Sequence, residues 1–357
     1  MTDGDTVILT RRGPIGHILL NRPKALNAIT FEMVTGVADA LAEWAGDDSV
    51  RAVIIEGAGD RAFCAGGDVI AVSHAGQEQS PLCRDFFQAE YRLNRAIHLF
   101  EKPYIAFLDG ITMGGGVGLS VHGNHRIVTE KTLFAMPETG IGLFPDVGGS
   151  HFLSRCPGEI GTYLGLTGAR LGPADMLAIG LADSHMPSAS RDAYFAALEN
   201  ADWGGGSADE IVSAITQDFA TPAGDAAITG IRDELDRLFA GDDLEEIAAR
   251  LAADPGDVAA KAASLLDGKS PTMLKVSLKQ LRLGAMQDFD ANMVMEYRIV
   301  RRALQPGADF HEGVRALLID KDKAPKWNPA RLSDVEDADI HSYFEAPPEG
   351  DLVLDQK

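Results

Sequence analysis

Glu138 and Asp146 lie eight positions apart in Ala135-Met-Pro-Glu-Thr-Gly-Ile-Gly-Leu-Phe-Pro-Asp-Val-Gly-Gly149, a glycine-rich stretch that also carries Met, Ile, Leu and Phe. Carboxyl groups set among apolar side chains lose hydration, which raises their pKa toward the range useful for proton transfer at neutral pH. Two such groups can share acid and base work. The competing reading is structural: Asp146 caps a short helix starting at Val147, and Glu138 is solvated. The neighbouring segments favour the chemical reading.

Two glycine clusters precede the acids, Cys64-Ala-Gly-Gly-Asp68 and Met113-Gly-Gly-Gly-Val-Gly118, each between a strand-like run and a helical pattern. Glycine permits unusual backbone angles and close approach, so such turns can leave backbone N–H groups aimed into a cleft. Two converging N–H groups make an oxyanion hole, and losing one donor of such a hole costs about 2.7–4 kcal/mol of transition-state stabilisation. Tight helix–strand packing would explain either cluster alone. A dinucleotide fingerprint fails, because Gly114 and Gly116 are followed by Leu119 where a third glycine belongs, and no Gly-Lys-Ser/Thr phosphate loop is present. His122-Gly-Asn-His125 lacks a third ligand and reads as structural, as does the Cys64 thiol. No metal site is expected.

The elements that must position these residues alternate short apolar runs with helical patterns, an α/β signature. Val7–Thr10 and Gly16–Leu20 form a hairpin around Gly13-Pro14, and Thr30 caps a helix running to Trp44. Val53–Glu56 and Tyr104–Leu108 are buried strands, separated by a helix over Arg84–Phe100 with Phe86, Phe87, Tyr91, Leu93 and Ile97 at helical spacing. The glycine run in Ala201–Asp209 is a linker, and residues 207–267 beyond it are Ala-, Asp- and Leu-rich with helical periodicity. Ser270-Pro271 starts another helix by the N-cap and first-turn proline rule, and Asp288–Ala303 gives a long one. The organisation expected is a core over residues 1–200, a helical insertion over 201–269, a C-terminal helical region over 270–346 and a loose tail over 347–357.

A chain of 357 residues with 45% hydrophobic content can bury a large core, and its apolar runs are strand-sized, far short of the roughly 20 residues of a membrane span. The three cysteines, Cys64, Cys83 and Cys156, are too scattered for a disulfide framework or zinc site. A formal charge of −21 argues against nucleic acid and anionic membranes as partners. It leaves room for a small anionic ligand, with Arg22, Lys24, Lys102 and Lys323 as local cations for phosphates. The acidic start Met1-Thr-Asp-Gly-Asp5 resembles neither a secretory signal nor a transit peptide, so a cytoplasmic location is expected.

Asn21-Arg-Pro-Lys-Ala-Leu-Asn27, Arg61–Asp68, Lys102–Gly118 and Ala135-Met-Pro-Glu138, in this order and spacing, resemble the crotonase (enoyl-CoA hydratase/isomerase) superfamily. The resemblance implies the crotonase fold, also called the ClpP/crotonase fold, a spiral of strand–strand–helix units with a helical C-terminal region. It also implies an acyl-CoA thioester as ligand, with coenzyme A as part of the substrate and no separate cofactor. The family's oxyanion hole falls on the backbone N–H groups of Gly67 and Gly115, neighbours of Gly66 and Gly114. CoA contacts are implied for Ala65, Gly66, Asp68 and Gly114, with Arg22 and Lys24 near its phosphates. Relatives form trimers or dimers of trimers, so a homo-oligomer is open to this chain, of lower order if the C-terminal region covers its own site.

Hydratases of this family use two glutamates twenty residues apart. Counting back from Glu138 reaches Gly118, so the first acid is missing. Asp146 within Phe144-Pro-Asp-Val-Gly-Gly149 resembles instead the 3-hydroxyisobutyryl-CoA hydrolase branch, as do Ser270–Lys275, Met295-Glu-Tyr-Arg298, Asp309–Ala316 and Ile319–Asn328. That branch implies hydrolysis of 3-hydroxyisobutyryl-CoA to 3-hydroxyisobutyrate and CoA, a step of valine breakdown. Residues 207–267 and 347–357 depart from it, and its eukaryotic presequence is not seen. An enoyl-CoA hydratase or isomerase using Glu138 as its only strong base, with Asp146 standing in for the missing acid, is the alternative, and a non-catalytic acyl-CoA-binding protein a weaker one.

Overall fold

A computed structural model describes residues 5–354. Residues 1–4, most of the acidic start, and 355–357, the end of the expected tail, lie outside the described residues. The chain divides into two compact units, each assembled from three separate stretches: Met1–Gly67, Arg92–Phe134 and Leu171–Ala227 in one, Asp68–Tyr91, Ala135–Arg170 and Ile228–Lys357 in the other.

The first unit is built on sheet. Strands β1 (Val7–Arg12) and β2 (Ile15–Leu20) pair antiparallel from Val7 opposite Leu20 to Arg12 opposite Ile15, with the turn at Gly13-Pro14 as expected. The chain then crosses over through the helix Phe31–Ala45, whose first turn is capped by Thr30 Oγ1 accepting from Met33 N at 3.3 Å. Such a crossover is what a parallel neighbour requires. Parallel pairing follows from β2 to β3 (Ala52–Gly57), to β5 (Tyr104–Leu108), to β7 (His125–Val128) and to β9 (Ser184–His185). β5 is buried at every position and β3 nearly so, which is why both read as continuous apolar runs rather than alternating ones. A second sheet orders β4 (Ala62–Cys64), β6 (Ile111–Met113) and β8 (Leu133–Ala135). This is the α/β crotonase architecture.

Beyond the Gly204–Gly206 run, Ser207 and Glu210 form a reciprocal capping box that starts the helix Ala208–Phe219. Its Val212 is fully buried in the cluster of Ile54, Phe107, Tyr194 and Phe195, so this first stretch of the Ala-rich region packs onto the sheet core of its own unit.

The second unit is mainly helical. Ser270 Oγ accepts from Met273 N at 3.1 Å and Pro271 occupies the first turn of the helix Pro271–Gly284, as its sequence predicts. Asp288 caps the helix Phe289–Ala303 in the same way, accepting from Ala291 N at 2.8 Å. The tail is pinned rather than loose over its described part. Arg298 holds Asp351 at 2.7 Å, Arg301 pairs with Glu349, and Leu352 is buried.

Candidate active site

Four carboxyl groups of the second unit are buried together: Asp146 and the three that feel its charge, Glu138, Glu90 and Glu296. Glu138 opens a short 3-10 turn, Glu138–Ile141, and is only 5% exposed. The turn is fixed by Thr139, whose hydroxyl donates to Leu166 O at 3.0 Å and whose carbonyl accepts from Ser270 N at 3.2 Å. Gly142 ends it at φ +69°, and a Cβ there would lie 2.4 Å from the Asp309 backbone, so only glycine closes this turn. Glu138 Oε2 is buried without a hydrogen-bond partner among the described residues. Burial, reinforced by the charge of Asp146, holds the Glu138 carboxyl well above its ordinary pKa, against the opposing pull of its own backbone N–H and of Lys269.

Asp146 is equally buried and accepts a hydrogen bond from Tyr91 Oη at 2.9 Å. Burial pushes its pKa up to about 7, while the Tyr91 bond works in the opposite direction. The residue before Tyr91, Glu90, is 3% exposed and has an unpartnered Oε1. Burial and the Asp146 charge raise its pKa well above the usual range. Glu296 is fully buried, and burial pushes it to about 8 although three hydrogen bonds favour its charged form. Buried acids whose proton affinity lies near neutrality mark candidate catalytic sites.

The loop carrying Asp146 is tied down on both sides. Gln280 Nε2 donates to Pro145 O at 2.6 Å, and Glu296 accepts from Gly148 N at 2.8 Å, from Ser150 N at 2.9 Å and from the Ser150 hydroxyl. Between them Val147 adopts φ +51°, a left-handed conformation that a β-branched residue takes only when its surroundings impose it. The helix following this turn starts at Gly149 with Gly148 as its cap, so Asp146 does not cap a helix at Val147.

In the first unit the glycine clusters approach one another through parallel pairing of β4 with β6. Gly66 O accepts from Ile29 N at 2.9 Å, and in a trans peptide this turns the Gly67 N–H to the opposite side. Gly115 begins the one-turn helix Gly115–Gly118, where first-turn N–H groups have no intrahelical acceptor. A Cβ on Gly66 would fall 4.0 Å from the Gly115 nitrogen, and one on Gly116 would strike Cys64 O at 2.3 Å. The four glycines Gly66, Gly67, Gly114 and Gly115 therefore bring two backbone turns side by side. Ala65 N is bonded to Leu26 O at 3.0 Å, which anchors the Cys64–Gly66 strip to the Asn21–Asn27 loop.

That loop is organised by Asn27, which is fully buried at φ +57° and donates to Ala58 O and Ala62 O at 3.0 and 2.9 Å. Lys24 is exposed on it, and Arg22 is partly buried with Nη1 donating to Ala28 O at 2.6 Å. Asp68 serves as a helix cap, accepting from Ala71 N at 3.4 Å. Lys102 is a structural cation, corrected from the candidate phosphate ligands: its Nζ donates to Trp44 O and Asp47 O at 2.6 and 2.8 Å, closing the end of the helix Phe31–Ala45. Lys323 is exposed at φ +54°. His125 faces Asp209 at 3.1 Å, and the Cys64 thiol is buried against Gly66 O.

Glu90, Tyr91 and Glu296 escaped the sequence reading as site residues. The signal for Glu90 was present: it falls three and four positions after Phe87 and Phe86, an acid on the apolar face of a helix. Glu296 sits in the quoted Met295–Arg298 segment, but nothing local says that its partners are Gly148 and Ser150.

Comparison with known proteins accords with this architecture. Residues 15–344 match the family model described as enoyl-CoA hydratase/isomerase. The mitochondrial 3-hydroxyisobutyryl-CoA hydrolase of Mus musculus is 43% identical over 98% of this chain and 91% of that protein. A crystal structure described as a carnitinyl-CoA dehydratase from Mycobacterium thermoresistibile superposes with a TM-score of 0.92 at 40% identity, covering 99% of this chain and 100% of that one. One described as an enoyl-CoA hydratase from Rhodobacter sphaeroides gives 0.88 at 41% identity over 98% and 100%. The expected cytoplasmic location is overturned, because hydrolase relatives, including the mouse protein, are named mitochondrial. The composition of the first residues of a chain does not decide its compartment. The chain belongs to the enoyl-CoA hydratase/isomerase family, the crotonase superfamily.

Proposed function

We propose that this enzyme hydrolyses the thioester of 3-hydroxyisobutyryl-CoA, giving 3-hydroxyisobutyrate and free CoA. The observation that carries the reading is the acid set. Position 118, where the hydratases of this family place their first glutamate, is glycine, and the buried acids that accompany Glu138 are Asp146, Glu90 and Glu296. Water addition across a double bond needs the missing carboxylate, whereas thioester cleavage needs one attacking group and one proton donor. The hydrolase relatives at 43% identity support the same choice.

The roles separate by chemistry. The N–H groups of Gly67 and Gly115 stabilise negative charge on the thioester oxygen, and Gly66 and Gly114 shape their approach. Glu138, with one oxygen unpartnered, begins the attack by one of two routes. In the first it removes a proton from water, whose oxygen bonds to the acyl carbon. In the second its own oxygen forms that bond as an anhydride, which water then opens. Either way the carbon–sulfur bond breaks and the thiolate takes a proton, which Asp146, with a pKa of about 7, can supply. Single turnover in ¹⁸O-water separates the routes where water opens the anhydride at the Glu138 carbonyl, because the acid then keeps an unlabelled Glu138 oxygen and Glu138 takes up the label. Glu90, with its free Oε1, is matched to the substrate hydroxyl. A buried polar group so used rejects analogues lacking that hydroxyl by roughly 10⁴ in well-made sites.

Coenzyme A is carried by the substrate, its phosphates falling to Arg22 and Lys24 and its adenine to the Ala65–Asp68 backbone. With 3-hydroxyisobutyrate as product, the proposed reaction is a step of valine catabolism. The test follows thiol release from (S)-3-hydroxyisobutyryl-CoA and, separately, loss of enoyl absorbance from crotonyl-CoA. Rapid thiol release with little crotonyl-CoA turnover is expected. Hydration without thiol release would overturn the proposal in favour of an enoyl-CoA hydratase.

A further inference from the structure

We propose that Glu296 is the positioning residue for Asp146, holding the left-handed Val147 turn that fixes where the Asp146 carboxyl points. The inference rests on the hydrolase reading for the importance of Asp146, but its geometry stands apart from that reading.

A fully buried carboxylate is costly unless hydrogen bonds replace its hydration. Glu296 obtains them from one short segment: Gly148 N at 2.8 Å, Ser150 N at 2.9 Å and the Ser150 hydroxyl. All three donors lie within three residues after Val147. On the other side of Asp146, Gln280 Nε2 holds Pro145 O at 2.6 Å, and Gly149 N closes the turn onto Asp146 O at 2.8 Å. Asp146 is thereby suspended between two clamps that come from the helices Pro271–Gly284 and Phe289–Ala303.

Val147 says what the clamp is for. At φ +51° its Cβ is strained, and without an outside restraint the turn would relax to negative φ and rotate the preceding carboxyl away. The three donors favour the charged form, and above its pKa of about 8 Glu296 accepts from two converging N–H groups at once, whereas a glutamine would aim its own NH2 at one of them. The role is that of a fastener beneath the loop.

The test uses Glu296→Gln, Val147→Gly and the double variant, with wild type and Asp146→Asn alongside, reading kcat and KM for thiol release. A misplacement of about 1 Å costs on the order of 10²-fold in rate. E296Q is therefore expected to lose kcat by roughly that factor with KM little changed. Glycine adopts positive φ freely, so V147G in the E296Q background is expected to restore at least about tenfold of it. A purely structural role for Glu296 would give no such rescue. Should E296Q fail to fold, Ser150→Ala decides instead. It keeps both backbone bonds, and an approximately fivefold fall in kcat at constant KM is the rate equivalent of one lost hydrogen bond.

Wild-type kcat in E296Q, an unrescued loss, or an unaltered S150A would overturn the positioning role. A wild type that releases no thiol would instead sink the hydrolase reading itself.

Discussion

Tyr91 Oη donates to Asp146 Oδ2 over 2.9 Å, and neither side chain is more than 5% exposed. The bond holds the Asp146 pKa below where burial alone would leave it. Tyr91→Phe removes the donor and keeps the ring. Asp146 should then titrate at higher pH, visible as an upward shift of the limb it contributes to the kcat/KM profile. Stability should fall by about 1–3 kcal/mol, the cost of an unsatisfied buried acceptor, measured by denaturant unfolding. An unmoved profile would remove Tyr91 from the site.

The pH dependence of the rate follows from Glu138. Its carboxyl must be ionised to attack or to take a proton, and burial with the nearby Asp146 charge holds its pKa well above the usual value. kcat/KM should fall on acidification with a midpoint clearly above the ordinary glutamate value of about 4.3. A midpoint at the ordinary value would mean that Glu138 titrates as a solvated group.

Stability should depend on pH in the opposite sense from most carboxylates. Asp146 rises from 3.8 to about 7 and Glu296 from 4.5 to about 8 on folding. The folded state therefore binds their protons more tightly than the unfolded chain. Their contribution is complete below the unfolded values and is lost as pH climbs through about 7 and 8. Unfolding midpoints of wild type and Asp146→Asn, compared at pH values near 5 and 8, should show a smaller decline in the variant. Parallel declines would refute the assignment for Asp146.

Gly116→Ala tests the glycine strips. A Cβ there would lie 2.3 Å from Cys64 O, so the helix Gly115–Gly118 must move away from β4. A loss of about 1–3 kcal/mol is expected from the overpacking, with kcat reduced more than KM because the Gly115 N–H moves with the helix. Retention of full activity would detach these glycines from catalysis.

The sequence revealed those parts of the molecule that are settled within a few residues. Thr30, Ser270-Pro271 and Asp288 announce their helices because a cap acts within one turn. Glu138 and Asp146 were legible because both sit in one glycine-rich loop among apolar residues. Glu90 carried only the local sign of an acid on the apolar face of its helix, and Glu296 none, because their proximity to Asp146 and its loop comes from remote helices through tertiary packing. The Val147 conformation was hidden for a different reason: valine gives no sign of positive φ, which its clamp imposes. Lys102 looked like any basic residue until its two carbonyl partners were seen.

The most direct measurement of the central claim is thiol release from (S)-3-hydroxyisobutyryl-CoA by Glu138→Gln beside wild type, with substrate affinity measured independently. Removing a group that attacks or transfers a proton should lower kcat by about 10²–10⁴-fold while affinity stays within a few fold. Thiol release at nearly the wild-type rate from a folded Glu138→Gln protein would contradict the account.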